Sequence, residues 1–430
     1  MARRPAKGGK GGAARRPSAG NKGASSRKTA PKEITPATKV VFIVVALAVA
    51  LGLAFQLWSS TPRPAAPVGT YVSVRQDLAP ETNSLPGAGR AATPALVELL
   101  TRVRTGLPTS APGFAGAYNV TEYGLLGVLL VLTLGAIVLL VGADTHWAYL
   151  ALVLADVAIS KPLTWVPPPP APMFVWLRFT DYPSLLTTTV VFGLAGMYYL
   201  RGPEVAGSPR TTGLWLGGVA VAAALAAFVR ETVLMCLVLA GSIAVLEAVR
   251  FALLAAKHQR SAKQRLDARG LLELALHHPI ARAVGASVAI LVGMGLGKLA
   301  VYAIFPELLK LKWQVLPGAT SGGLMQDAAW YRPRNIARTA EIEAQLWSQY
   351  GLFMVTALLA PLLVRTPKAR FLAIAVVVTF AAHFGSYYLF GGLIDEFYGI
   401  GVLIAGLCVP LALALAEGFP RPWGRWSPSG

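Results

Sequence analysis

Apolar residues in this chain fall into blocks of about twenty, the length an α-helix needs to cross a bilayer. Ten such blocks are read as helices, at 39–58, 122–142, 147–165, 182–201, 211–229, 231–250, 280–305, 346–364, 369–391 and 396–416. One stretch tests the reading. "AALAAFVRETVLMCLVLAG" (223–241) sets Arg230 and Glu231 in an apolar run from Gly213 to Ala248. A charge at the bilayer centre costs about 2.5–3.5 kcal/mol on insertion scales. Splitting the run into two spans moves both charges to a turn, where Glu231 enters the first turn of the next helix and an acid suits the positive helix end.

The polar positions between blocks support that split. With the N-terminal tail placed in the cytoplasm, the inside loops are the basic ones, as the positive-inside rule requires. The segment 201–210 carries Arg201 and Arg210, and 251–279 carries Lys257, Arg260, Lys263, Arg265 and Arg269. Arg365 and Lys368 lie in 365–368, and Arg421 and Arg425 follow the last span. Only the short "ADTH" (143–146) breaks the rule inside. Outside, the long loop 59–121 holds five Lys/Arg in 63 residues, whereas 306–345 is cationic, with Lys310, Lys312, Arg332, Arg334 and Arg338.

Composition agrees. The 430 residues are 55% hydrophobic and 14% charged, with mean hydropathy +0.56, against about 25% charged in soluble domains. The fold class is therefore all-α, a polytopic integral membrane protein of about ten transmembrane helices. The net charge of +19 is concentrated in residues 1–38, which hold ten Lys/Arg and one acid, Glu33. This tail is rich in Gly, Pro, Ser and Ala and is expected to be disordered. It reads as a topology signal beside anionic lipid rather than an RNA-binding arm, and no nucleic-acid partner is expected. The first apolar block is longer than a signal-peptide core and reads as a signal anchor. The two cysteines, Cys236 and Cys408, lie in apolar blocks and define neither a disulfide nor a metal site. No G-x-x-x-x-G-K-[ST] phosphate loop occurs.

The external side gathers chemistry-bearing residues. The first outer loop contains "YVSVRQDLAPETNSLPGAG" (71–89), with Asp77 and Glu81. It continues into "TPALVELLTRVRTGL" (93–107), whose Leu96, Leu99, Leu100 and Val103 share one helical face, as in an interfacial helix. The second, "KPLTWVPPPPAPMFVWLRFTDYPSLL" (161–186), has an extended proline run. Arg178 follows, then Asp181 at a helix start with Pro183 in its first turn. Arg230 and Glu231 form a third feature, the 306–345 loop a fourth, and "FGGLIDEFYGIG" (390–401), with Asp395 and Glu396, a fifth. Each has a plain structural reading too: the acids as helix caps, Arg178 and Arg332 as snorkelling side chains. His383 alone on a span, and His277–His278 on an amphipathic stretch, read as structural.

"FTDYPSLLTTTVVFGLAGMYYLRG" followed by "LAAFVRETVLMCLVLAG" resembles bacterial polytopic proteins of the GT-C glycosyltransferase superfamily. So do "NIARTAEIEAQLWSQYGLFMVTALLAPLL" (335–363) and "GGLIDEFYGIGVLIAGLCVPLALALAE" (391–417). The likeness is one of position and hydropathy over about 180–416. It implies a GT-C-like fold and transfer of a sugar from a polyprenyl-phosphate donor to an envelope acceptor on the external face. It implies Asp77, or Glu81, as the base that takes the acceptor's proton, and Asp181 as a second catalytic acid. Arg178, Arg230, Arg332 and Arg334 would hold the donor phosphate, with Glu81, Glu231, Asp395 and Glu396 completing a substrate-binding set. A divalent metal is the one cofactor the resemblance raises. The second loop supplies only Asp181 where a paired acid would bind it.

The expectation is thus a GT-C-like transferase, multi-pass in the inner (plasma) membrane with both ends cytoplasmic. Its partners would be a lipid-linked sugar donor, membrane lipids and other envelope proteins. Two rivals stand beside it. A transporter or flippase for an anionic amphipath would use Asp156, Lys161 and Lys298 as intramembrane charges. A non-enzymatic assembly partner would use the spans and tail alone.

Overall fold

A computed structural model describes residues 35–61, 92–164, 173–205, 208–262, 268–304, 329, 332–390 and 397–419; for residues 92, 94, 161–164, 173–181, 203–205, 231, 258–262, 268–269, 390 and 397–399 the description is of the backbone alone. Within these stretches the chain forms helices and no strands. They are α1 (Pro36–Ser60), α2 (Ala92–Thr105), α3 (Phe114–Val141), α4 (His146–Thr164), α5 (Met173–Val205), α6 (Pro209–Val229), α7 (Leu234–Ala262), α8 (Ala268–His277), α9 (Pro279–Ile304), α10 (Thr339–Leu363), α11 (Pro367–Phe390) and α12 (Phe397–Gly418). Nine carry a stretch long and apolar enough to cross a membrane, and α4 a shorter apolar one over His146–Ser160. The protein is a multi-pass membrane protein of all-α class, and each expected span has its helix.

Local sequence explains the starts and stops. Thr35 and Ser208 cap α1 and α6, each side chain accepting a hydrogen bond from the backbone N–H three residues on, with proline at the first helical position. Gly142 ends α3 with φ of 104°, and its N–H bonds to Val138 O at 3.0 Å. A side chain there would be strained, so the chain turns back within four residues into α4.

Three boundaries differ from the sequence reading. Helix α3 begins at Phe114, so Glu122 lies two turns inside it. Helix α5 begins at Met173, so Asp181 and Pro183 lie within it and not at its N-terminus. Nothing from Met173 to Tyr182 breaks a helix, so residues 173–181 of the segment read as the second loop are helical. Proline inside a membrane helix is tolerated when neighbours satisfy the backbone. The cationic 306–345 segment likewise gives up residues 332–337 to a helical turn and 339–345 to α10.

Helix α12 is the axis of the bundle, with 89% of its apolar window buried. It packs on α3, α4, α5, α10 and α11. Helices α6 and α9 form a tight parallel pair, because Gly293 and Gly297 of α9 lie against the Ala220 and Ala224 carbonyls of α6. This is the small-residue packing by which membrane helices approach closely.

Contacts sort the helix ends into two groups. At the tail end, Arg201 Nε donates to Glu417 Oε1 at 2.7 Å and Arg365 N donates to Gly418 O at 2.8 Å. At the far end, Trp58 Nε1 donates to Tyr123 O at 3.0 Å, and Asn335 Nδ2 donates to Tyr388 O at 2.8 Å.

Candidate functional site

The far end is where the long apolar run 213–248 breaks. Helix α6 stops at Val229, and Arg230 is extended, with φ of −160° and ψ of 160°. Its N–H closes the last turn on Ala226 O at 2.8 Å. Glu231–Val233 form a single 3₁₀ turn before α7 begins at Leu234. The expected turn is present, but the Arg230 side chain points inward and is only 4% exposed. Its guanidinium acts electrostatically on His383 of α11, itself 5% exposed. The His383 ring meets Tyr387 edge-on, with centroids 4.8 Å apart, and its Nε2 makes no hydrogen bond. Thr232 Oγ1, in the same turn as Glu231, also makes none.

One turn beyond His383, the end of α11 is pinned to the start of α10. Asn335 donates to the carbonyls of Tyr387 and Tyr388, at 3.3 and 2.8 Å, and the hydroxyls of Thr339 and Tyr388 lie 2.8 Å apart. The helical turn 332–337 therefore brings Arg332 and Arg334, both exposed, to the same end as Arg230. Helix α5 packs against the Glu231–Val233 turn, and its first three turns carry Arg178 and Asp181.

Helix α2 closes this end from the side. It packs on α3, α5 and α6. Thr93, Val97 and Thr101 are buried at four-residue spacing. Arg104 ties the helix to α3 by donating to Ala117 O at 3.0 Å and Thr121 Oγ1 at 3.2 Å. The expected face of Leu96, Leu99, Leu100 and Val103 is exposed, as an interfacial helix requires.

Of the residues expected from sequence, Arg178, Asp181, Arg230, Glu231, Arg332 and Arg334 thus lie on elements that meet at one end. Asp77, Glu81, Asp395 and Glu396 lie outside the described residues. Asp156 on α4 and Lys298 on α9 are half-buried. Among the described residues no group of three His, Cys, Asp or Glu is placed to hold a metal.

Two groups were missed by the sequence reading. Tyr118, Asn119, Glu122 and Tyr123 form a buried polar face near the start of α3. The signal was an Asn and a Glu three residues apart at the edge of an apolar block. The second group is at the tail end, where Glu247 of α7 is fully buried. Tyr199 OH donates to Glu247 Oε1 at 2.6 Å. Arg250 and His278 approach Glu247 Oε2 at 3.6 and 3.9 Å, and Arg282 donates to Tyr199 O at 2.9 Å. Burial holds the His278 pKa below its ordinary value; Arg250, Arg282 and Lys368 push the same way and Glu247 opposes them. This network joins α5, α7 and the α8–α9 joint, and it reads as a clamp.

No family model matches the chain, and neither the curated proteins nor the solved structures contain a match to it.

Proposed function

We propose that this protein is a membrane transferase of GT-C type that binds a polyprenyl-phosphate-linked sugar at the end of the bundle opposite the tail. The observation that carries the reading is Arg230, a guanidinium buried where two apolar helices stop short of each other. Ionisable residues buried inside membrane proteins often mark substrate pathways. Guanidinium matches phosphate oxygens two at a time. The apolar face of α2 beside it suits a substrate whose tail remains in lipid. Asp77 and Asp181 are the acids the proposal assigns to proton transfer and sugar orientation, with Arg178, Arg332 and Arg334 as further phosphate contacts.

The test uses the whole protein in lipid nanodiscs. Retention of radiolabelled polyprenyl phosphate is measured first, then transfer from a panel of polyprenyl-phosphate hexoses and pentoses. Arg230→Ala is expected to weaken retention about tenfold or more, the worth of one charge-assisted hydrogen bond. Arg230→Lys, which keeps the charge, should recover only part of it. Asp77→Asn and Asp181→Asn should retain the lipid and lose transfer. Retention of the lipid by Arg230→Ala at the wild-type level would sink the proposal.

One observation favours a second reading. Glu122 is a buried carboxylate within the bundle, a feature typical of ion-coupled transporters. A transporter predicts that Lys298→Ala and Glu122→Gln are damaging while Asp77→Asn is tolerated.

A further inference from the structure

Glu122 and Asn119 have an acceptor problem that nothing among the described residues solves. They are 4% and 8% exposed. Three residues apart on α3, they are neighbours on one helix face. Neither Glu122 Oε2 nor Asn119 Oδ1 accepts a hydrogen bond. A buried carboxylate with no compensating charge or donor is among the costliest groups a protein can hold, and more so in a bilayer.

Among the described side chains no neighbour supplies the missing charge: on α2, Arg102 pairs with Glu98, and α4, which also packs on α3, carries the acid Asp156 and, described in its backbone alone, Lys161. Arg104, which α2 brings to this part of α3, donates to Ala117 and Thr121. From α1, Trp58 Nε1 donates to Tyr123 O, and Thr61 O accepts from the Tyr123 hydroxyl. The charged residues that α5 carries at this end are one cation and one anion, Arg178 and Asp181. With no cluster of three acidic, His or Cys ligands among the described residues, a divalent ion would lack the charge to hold it. A single carboxylate beside an amide oxygen balances a single positive charge.

We propose that Asn119 and Glu122 form a binding site for a small monovalent cation, a proton or Na⁺, within the outer half of the bundle. The site uses none of the arginines assigned to the phosphate and holds whether the protein transfers or transports its substrate. Bound, the cation neutralises Glu122 and lets α3 pack against its neighbours. Released, it leaves a charge that must reach water or a cation brought by a neighbouring helix. The occupancy of this site is therefore coupled to how closely α3 packs against its neighbours.

The experiment is carbodiimide labelling of the purified, reconstituted full-length protein. Dicyclohexylcarbodiimide adds to a protonated carboxyl in an apolar site, and the acylurea formed is located by peptide mass. Labelling rates at Glu122 are measured across a pH series in choline chloride, then at fixed pH with NaCl replacing choline chloride. Rates that fall about tenfold per pH unit above a midpoint, with no Na⁺ effect, identify a proton site. Protection by NaCl identifies a sodium site. In either case Asn119→Ala should shift the midpoint or weaken the protection, and Glu122→Gln should remove the labelled peptide. Should Glu122→Gln fail to insert, the wild-type peptide map decides alone. No label on Glu122 at any pH, or a rate that neither pH nor Na⁺ alters, overturns the proposal. Loss of polyprenyl-phosphate retention on Arg230→Ala is a separate readout, so either proposal can fail without the other.

Discussion

At Gly293 and Gly297 an added Cβ would come within 2.2 Å of the Ala220 and Ala224 carbonyl oxygens. Backbone cannot step aside as a side chain can, so Gly293→Ala or Gly297→Ala must push α9 away from α6. Overpacking of this kind costs about 1–3 kcal/mol. Both variants are expected to lower the unfolding midpoint in denaturant titrations. Gly295→Ala, with nothing within 4 Å of the new methyl group, should not. The Glu247 clamp makes a second prediction at this scale. Tyr199→Phe removes the 2.6 Å hydrogen bond to a fully buried carboxylate and should cost about 1.5–3 kcal/mol. The same clamp sets a pH dependence. Because burial lowers the His278 pKa in the folded state, the unfolded chain binds more protons between the two values. Stability then rises with pH across that window. The contribution is complete above the ordinary histidine value, near 6.5, and lost as pH falls through the folded one. His278→Phe should flatten the acid side of the stability profile, and an unchanged profile would refute the assignment.

Among the elements, α2 is the one whose environment the sequence pattern predicted most specifically. Its four apolar residues are exposed, Val103 at 77%, while Thr93, Val97 and Thr101 face the bundle. A nitroxide on Val103→Cys should therefore be relaxed by dissolved oxygen and hardly at all by a water-soluble nickel complex. The reverse would place α2 in water. Helix α8 has a similar character at the tail end, exposing Leu272, Leu274 and Leu276. Boundaries were less legible than elements. The first turns of α5 were read as loop because Pro183 marks a helix start in water-soluble chains, whereas proline inside a membrane helix is tolerated where its surroundings satisfy the carbonyl it leaves without a partner.

For the whole molecule, the alternation of helices divides the exposed positions between two sides. Ser110 and Ala337 belong to the far end, and Asp144, Ser208 and Thr366 to the tail end. Single cysteines at these positions, introduced after Cys236 and Cys408 are replaced, should label with an impermeant thiol reagent as two groups. One group should react in intact cells and the other only after permeabilisation. A tail-end position that reacts together with Ser110 would break the ten-helix topology.

Hydrophobic block length and the spacing of basic loops are properties of the chain by itself, and they located the apolar helices among the described residues and the break at Arg230. Burial from water in a bilayer acts on each block locally, so no neighbour is needed to read it. Which face of each helix turns inward is decided by packing alone. The sequence placed Arg230 at a turn between two spans. Only the approach of α11 shows it buried beside His383. Likewise Glu122 and Glu247 are single polar letters in apolar text. The fold decides that Glu247 meets Tyr199 and His278, residues distant along the chain, while the Glu122 Oε2 accepts no hydrogen bond from any helix around it.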